Sequence, residues 1–241
     1  IPPDYFTRID IHQHPGGTCG DTLAGFIYER GSRSMWPGGS KDRGLHPRFN
    51  AIVKSICTPQ RVLDLGCGFG KSTKPFIEDF PDAEVIGIDV SAPCLKLAAL
   101  TAHEEKLNNI QYYQSYAEET PFPSAKFDLV SSTMLLHEMP PRAIQNLFQE
   151  SFRLLDQGGY AIHLDYSTDD DPFNQFIHLG HAQRNNEPFM KPLNEMDLGK
   201  AMKDAGFTDV TIEPFEEAPN ALSPENKAWR FPWIIVRGQK K

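Results

Sequence analysis

Val62-Leu63-Asp64-Leu65-Gly66-Cys67-Gly68-Phe69-Gly70 carries an apolar strand straight into three alternating glycines. A second apolar strand, Val85-Ile86-Gly87-Ile88, ends on Asp89. Glycines without Cβ permit a tight strand-to-helix turn and let the backbone approach a ligand closely. An acid about twenty residues beyond such a turn suits the two hydroxyls of a ribose. Together the two strand ends predict a nucleoside pocket.

Three nucleosides compete for it. NAD calls for G-x-G-x-x-G, but Lys71 stands where the last glycine is required. Gly70-Lys71-Ser72 resembles the end of a nucleotide-triphosphate loop, yet the first glycine of that loop falls on Leu65. Both ligands bring phosphates, which a carboxylate at Asp64 would repel. S-adenosylmethionine has no phosphate and carries an ammonium and a sulfonium, so the residues favour it.

The same stretch resembles motif I of the class I S-adenosylmethionine-dependent methyltransferases. Val85–Ser91 resembles their ribose-binding strand, and Ala117-Glu118-Glu119-Thr120-Pro121-Phe122-Pro123 is similar to their segment beside the adenine. Phe127–Val130 resembles their fourth strand, and Arg153–Gly159 their turn before the fifth. Five segments occur in the right order over about Arg61 to Arg237, closest to the small-molecule, ubiquinone-methyltransferase-like branch. The resemblance implies a Rossmann-like, doubly wound α/β sheet of seven strands, mostly parallel, with a C-terminal antiparallel hairpin. It also implies Asp64 on the cofactor's ammonium, directly or through water. Gly66, Cys67 and Gly68 would flank the methionine end, with Asp89 and Val90 at the ribose. Ala117 and Glu118 fall at the adenine, where Tyr116 replaces the family's usual Asp. Thr133 and Met134 would line the methionine part of the pocket.

Composition agrees with an enzyme of this kind. A chain of 241 residues can form one α/β domain with a substantial core. Its net charge of −8 and its lack of a basic block argue against nucleic acid. Four cysteines without C-x-x-C spacing suit reduced thiols in the cytoplasm. No apolar run is long enough to span a bilayer.

Alternating patterns predict strands near residues 62–65, 85–88, 111–114, 128–132, 160–164, 210–214 and 233–237. Helices are expected over Phe49–Cys57, Ser72–Phe80, Pro141–Leu155 and Asp197–Ala205, and one beginning after the Ser91 cap. Residues 1–48 have weak periodicity and are punctuated by Gly16-Gly17, Gly38-Gly39 and several prolines. They read as loops and short helices lying over the ligand as a lid on a single domain. Residues 172–192, with Phe173, Phe176, Ile177, Leu179, Phe189 and Met190, interrupt the usual strand-helix order. They read either as a cap over the substrate or as core.

Ligands of open α/β sheets bind beyond the carboxyl ends of the strands. That rule nominates His137 as a general base, because imidazole titrates near neutrality; packing or capping is its alternative. His12, His14, Asp165, Tyr166 and His178 are expected to bind the substrate. His12/His14 and His178/His181 also invite a metal reading, but neither pair has a catalytic zinc spacing, and no metal is expected. The function these residues imply is in-line transfer of a methyl group to an O, N or C atom of a small, partly apolar molecule. A protein or lipid methyltransferase, and a non-catalytic cofactor-binding subunit, are the alternatives.

Overall fold

Residues 3–34, 44–167, 171–223, 225 and 232–241 are described by the computed structural model. In chain order the helices and strands are α1 (Asp4–Thr7), α2 (Ala24–Ser34), α3 (Leu45–Ile56), β1 (Arg61–Leu65), α4 (Lys74–Asp79), β2 (Glu84–Asp89), α5 (Ala92–Glu104), β3 (Ile110–Gln114), β4 (Phe127–Thr133), α6 (Pro141–Leu154), β5 (Leu155–Tyr166), α7 (Pro172–Asn185), α8 (Met190–Asn194), α9 (Leu198–Asp204), β6 (Thr208–Phe215) and β7 (Trp233–Gln239). Single 3-10 turns lie at Ile11–Gln13 and Leu136–Glu138.

The strands form one sheet in the order β3-β2-β1-β4-β5-β7-β6. The first five are parallel, and β7 runs antiparallel to both β5 and β6. This is the doubly wound, seven-stranded sheet with a C-terminal antiparallel hairpin that the sequence implies. Period-2 alternation sends successive residues to opposite faces. Leu63, Leu65, Ile86, Ile88 and Val130 pack under α6 and α9, while Val62, Val85, Leu129 and Ile162 pack under α3 and α4. Strands buried on both faces need continuous apolar runs, which β1 and β2 supply. The chain leaves β1 first toward β2 and β3, then returns to place β4 on its other side. That reversal opens a crevice at the carboxyl ends of β1, β2 and β4.

Two elements differ from the sequence reading. The N-terminal segment contains the eleven-residue α2, which lies on α5. A Cβ at Gly25 would sit 2.5 Å from the Pro93 carbonyl oxygen, so this close approach requires glycine. Gly38 and Gly39 lie outside the described residues. The expected turn at Gly158-Gly159 is absorbed into β5, which starts directly after α6 and shifts register between Phe127 and Leu129 of β4. No helix among the described residues is long and apolar enough to cross a membrane.

Candidate active site

The crevice is a cleft of about 1390 Å³, its solvent-filled mouth included. Its floor is the glycine turn. Gly66 and Gly68 hold left-handed φ of 66° and 53°, a region that costs side-chain-bearing residues energy. A Cβ at Gly66 would come within 2.7 Å of Leu135, whereas one at Gly68 would project toward Tyr28, 3.8 Å away. Asp89 ends β2 against this turn. Its Oδ2 accepts from the Gly68 N–H at 2.8 Å and its Oδ1 from the Ser91 N–H at 2.7 Å. Burial pushes this carboxyl up to about 6 despite those two donors.

Asp64 is displaced from its expected place. It does not reach the cleft wall. It is fully buried under the turn, where the Ser72 and Thr73 hydroxyls donate to Oδ2 at 2.7 Å each and Oδ1 has no partner. Burial lifts this carboxyl to about 6 as well. The acid is therefore a brace for the helix entrance, and its charge stands behind the loop backbone. Glu118 is also turned away from the cleft: its Oε1 accepts from the Tyr5 hydroxyl at 2.6 Å and its Oε2 from Asn146 at 3.4 Å. Ser115, Tyr116 and Ala117 line the wall where Glu118 was expected to contribute.

The third wall follows β4. Thr133, Met134, Leu135, His137 and Glu138 all face the cleft. Met134 adopts φ 57°, uncommon for a side-chain-bearing residue. The His137 ring, 3% exposed as a residue, donates through Nδ1 to Asp165 Oδ1 at 2.7 Å. Asp165 is fully buried at the end of β5. It also takes the N–H of Leu136 on Oδ2 and that of Tyr166 on Oδ1, each at 2.7 Å. Burial alone would depress the His137 imidazole; the Asp165 carboxylate overrides it and holds the ring at about 9. At neutral pH His137 is thus an imidazolium, a hydrogen-bond donor and a poor proton acceptor. The near-neutral titration expected from its residue type does not survive contact with Asp165.

The fourth wall is brought together from distant parts of the chain. His12, in a left-handed backbone conformation (φ 56°), places Nε2 3.2 Å from Glu138 Oε1 and Nδ1 3.1 Å from Glu187 Oε1. Its ring stacks on Tyr28 at 4.8 Å with a 16° tilt. Burial pulls this imidazole down, but hydrogen bonds to the two glutamates raise it to about 10. Glu187 is held below the usual carboxyl range: burial opposes this, and the His12 hydrogen bond with the neighbouring imidazoles outweighs it. His181 lines the cleft beside Glu187 and is depressed by burial.

Of the residues expected at the substrate, His12 and Tyr166 line the cleft. His14 does not; its Nε2 lies 3.9 Å from Asp21. Asp165 sits behind His137, and His178 is buried behind Tyr166, its ring 6.2 Å from the phenol ring. In helix α7 His178 and His181 are buried, while Phe173 and Phe176 are 60% and 71% exposed and do not line the cleft. Sequence reasoning missed Glu138, Glu187, Tyr28 and Tyr5. Only the proximity of Glu138 to His137 could have signalled the first; no local pattern marks the others. No group of three or more His, Cys, Asp or Glu residues arranged to hold a metal occurs among the described residues.

A family model described as a methyltransferase domain matches residues 62–159. An uncharacterized methyltransferase of Synechocystis is 31% identical over 161 residues, covering 65% of this chain and 70% of that protein. A demethylmenaquinone methyltransferase of Lactococcus lactis is 30% identical over 181 residues, covering 74% of this chain and 68% of its own length. Among solved structures, phosphoethanolamine N-methyltransferase 2 of Haemonchus contortus in complex with S-adenosyl-L-methionine superposes with a TM-score of 0.65 at 20% identity. That match covers 99% of this chain and 60% of the other.

Proposed function

The chain belongs to the S-adenosylmethionine-dependent methyltransferases, and from that premise we propose that it methylates an O, N or C atom of a small, partly apolar molecule held in this cleft. The residues present suit the cofactor. Gly68 leaves free the space a Cβ would fill beside Tyr28, Asp89 offers its carboxylate at the ribose end, and Lys71 is the sole lysine or arginine on the described cleft wall. A diphosphate would want more cations than that. Bound S-adenosylmethionine supplies an electrophilic methyl group on a sulfonium.

In this reading Gly66, Cys67, Gly68, Thr133 and Met134 hold the methionine end, Asp89 and Val90 the ribose, and Ala117 the adenine. Asp64 acts through the Ser72 and Thr73 hydroxyls. His137 keeps its proton and orients the acceptor as a donor. Residues 3–34 roof the acceptor end, so this segment and the sheet work as one unit. The chain's contribution is alignment and exclusion of water. Four free thiols suit a cytoplasmic location.

The observation that carries a small acceptor is that roof: Tyr5, Phe6, His12 and Tyr28 line the same cleft as Gly68 and Asp89. A cleft roofed at its acceptor end suits a small molecule better than a protein side chain or a lipid. The test is transfer of labelled methyl from S-adenosylmethionine in a cell extract. Label should appear in the small-molecule fraction; label confined to protein or lipid would overturn the proposal. Asp89→Ala should weaken binding of S-adenosylhomocysteine by at least about tenfold in calorimetry, since the ribose loses its charged acceptor.

A further inference from the structure

We propose that the acceptor is an amine, recognised by Glu187 through an inward-facing carboxylate oxygen that no protein hydrogen bond satisfies. This names the substrate class of the site above and rests on that reading.

Glu187 is only 3% exposed, yet it lines the cleft. Its Oε1 is committed to His12 at 3.1 Å. Its Oε2 has no hydrogen-bond partner and lies 3.5 Å from His181 Nε2, an ion-pair distance only if that ring is protonated. A buried, ionised carboxylate oxygen left without a donor is costly, and such an atom on a pocket wall marks where a ligand's donor belongs.

The surrounding charge selects the kind of donor. Glu138 and Glu187 bring two carboxylates to this end of the cleft and Asp165 a third behind His137, against the two imidazolium rings of His12 and His137. Among the described residues no lysine or arginine lines the wall there, although Arg184 acts on His181 from outside it. A cationic or cation-forming acceptor balances the carboxylates on this part of the wall.

The chemistry points the same way. A hydroxyl or carbon acid must lose a proton as it attacks, but His12 and His137 already carry theirs at neutral pH. An amine attacks as the free base, having left its proton to water. Its lone pair forms the N–C bond while the methyl C–S bond breaks. The electron pair of that bond stays on sulfur, which becomes neutral, and nitrogen takes on the positive charge. The Glu187 carboxylate stabilises that growing charge, and a proton on a primary or secondary nitrogen then leaves to water.

The test is calorimetry on the full chain saturated with S-adenosylhomocysteine. Benzylamine and 2-phenylethylamine are titrated against benzyl alcohol, 2-phenylethanol and phenol. The amines should bind about tenfold or more tightly than their oxygen counterparts, the advantage of a charge-assisted hydrogen bond. That preference should vanish in Glu187→Gln, while affinity for S-adenosylhomocysteine stays unchanged. Oxygen compounds binding as well as the amines, or failure of every amine to bind, overturns the proposal on the wild-type protein alone. A preference that survives Glu187→Gln overturns the role of Glu187. If S-adenosylhomocysteine itself does not bind, the site reading falls instead, so the two failures are distinct.

Discussion

His137 shows how one contact changes a residue's chemistry. Its ordinary value near 6.5 suits a base, but Asp165 at 2.7 Å raises it to about 9. Raised in the fold, it stabilises the protein fully below 6.5, and that contribution is lost as pH rises through 9. His12, raised to about 10 by Glu138 and Glu187, has the same sign. Urea unfolding should therefore show stability falling between neutrality and pH 10, on the order of 1–3 kcal/mol for the His137 pair. In Asp165→Asn the NMR titration midpoint of His137 should fall clearly, because the main group opposing burial is gone and only the more distant Glu187 and Glu138 still raise it; a midpoint still near 9 would remove Asp165 as the cause. Asp89 and the glycines were legible because strand, turn and acid are read within a short span of chain. Glu187 was not: its meaning comes from His12, which lies 175 positions earlier and is joined to it only by folding. Asp64 was misplaced because sequence gives a residue's position on a strand but not which neighbour its carboxylate selects.

At the scale of elements, β1, β2, β4 and α6 were legible because their periodicity matches their burial. Helices α2 and α7 were harder for opposite reasons. Gly25 and Gly31 lower the intrinsic helicity of α2, and the packing against α5 that requires Gly25 is invisible locally. In α7 the apolar face is exposed and the histidine face is buried, so hydrophobicity points the wrong way. What starts α7 is a cap: Asp171 Oδ1 accepts from the N–H groups of Phe173 and Asn174 at 2.9 Å. Asp171→Ala should cost about 1 kcal/mol in denaturant unfolding. Because α7 carries His181 and leads into Glu187, the variant should also weaken amine binding while sparing S-adenosylhomocysteine. Equal weakening of both would show that α7 supports the whole cleft and not its acceptor end.

For the molecule as a whole, the N-terminal segment is fastened at both ends of the cleft. Near the cofactor strand, Ser91 Oγ donates to the Thr18 carbonyl and Cys19 Sγ donates to the Val90 carbonyl at 3.7 Å. Near the acceptor, Asn186 Nδ2 donates to the Asp10 carbonyl at 3.0 Å, and His12 joins Glu138 to Glu187. The Tyr5–Glu118 bond ties the start of the segment to the loop after β3. Ile11 and Ala24 are buried, but Leu23, Phe26 and Ile27 remain about half exposed, so the segment is expected to open more readily than the sheet. A ligand that orders the Asp89–Ser91 strand end stiffens one anchor of the roof. Hydrogen exchange should therefore slow across residues 4–32 when S-adenosylhomocysteine is added, and slow further with benzylamine. Tyr5→Phe removes one tie at a cost of about 1 kcal/mol; it should raise exchange in the segment without the ligand and leave the sheet unchanged. Protection confined to residues 61–140 in both ligand states would mean that residues 3–34 cover the cleft without responding to what fills it.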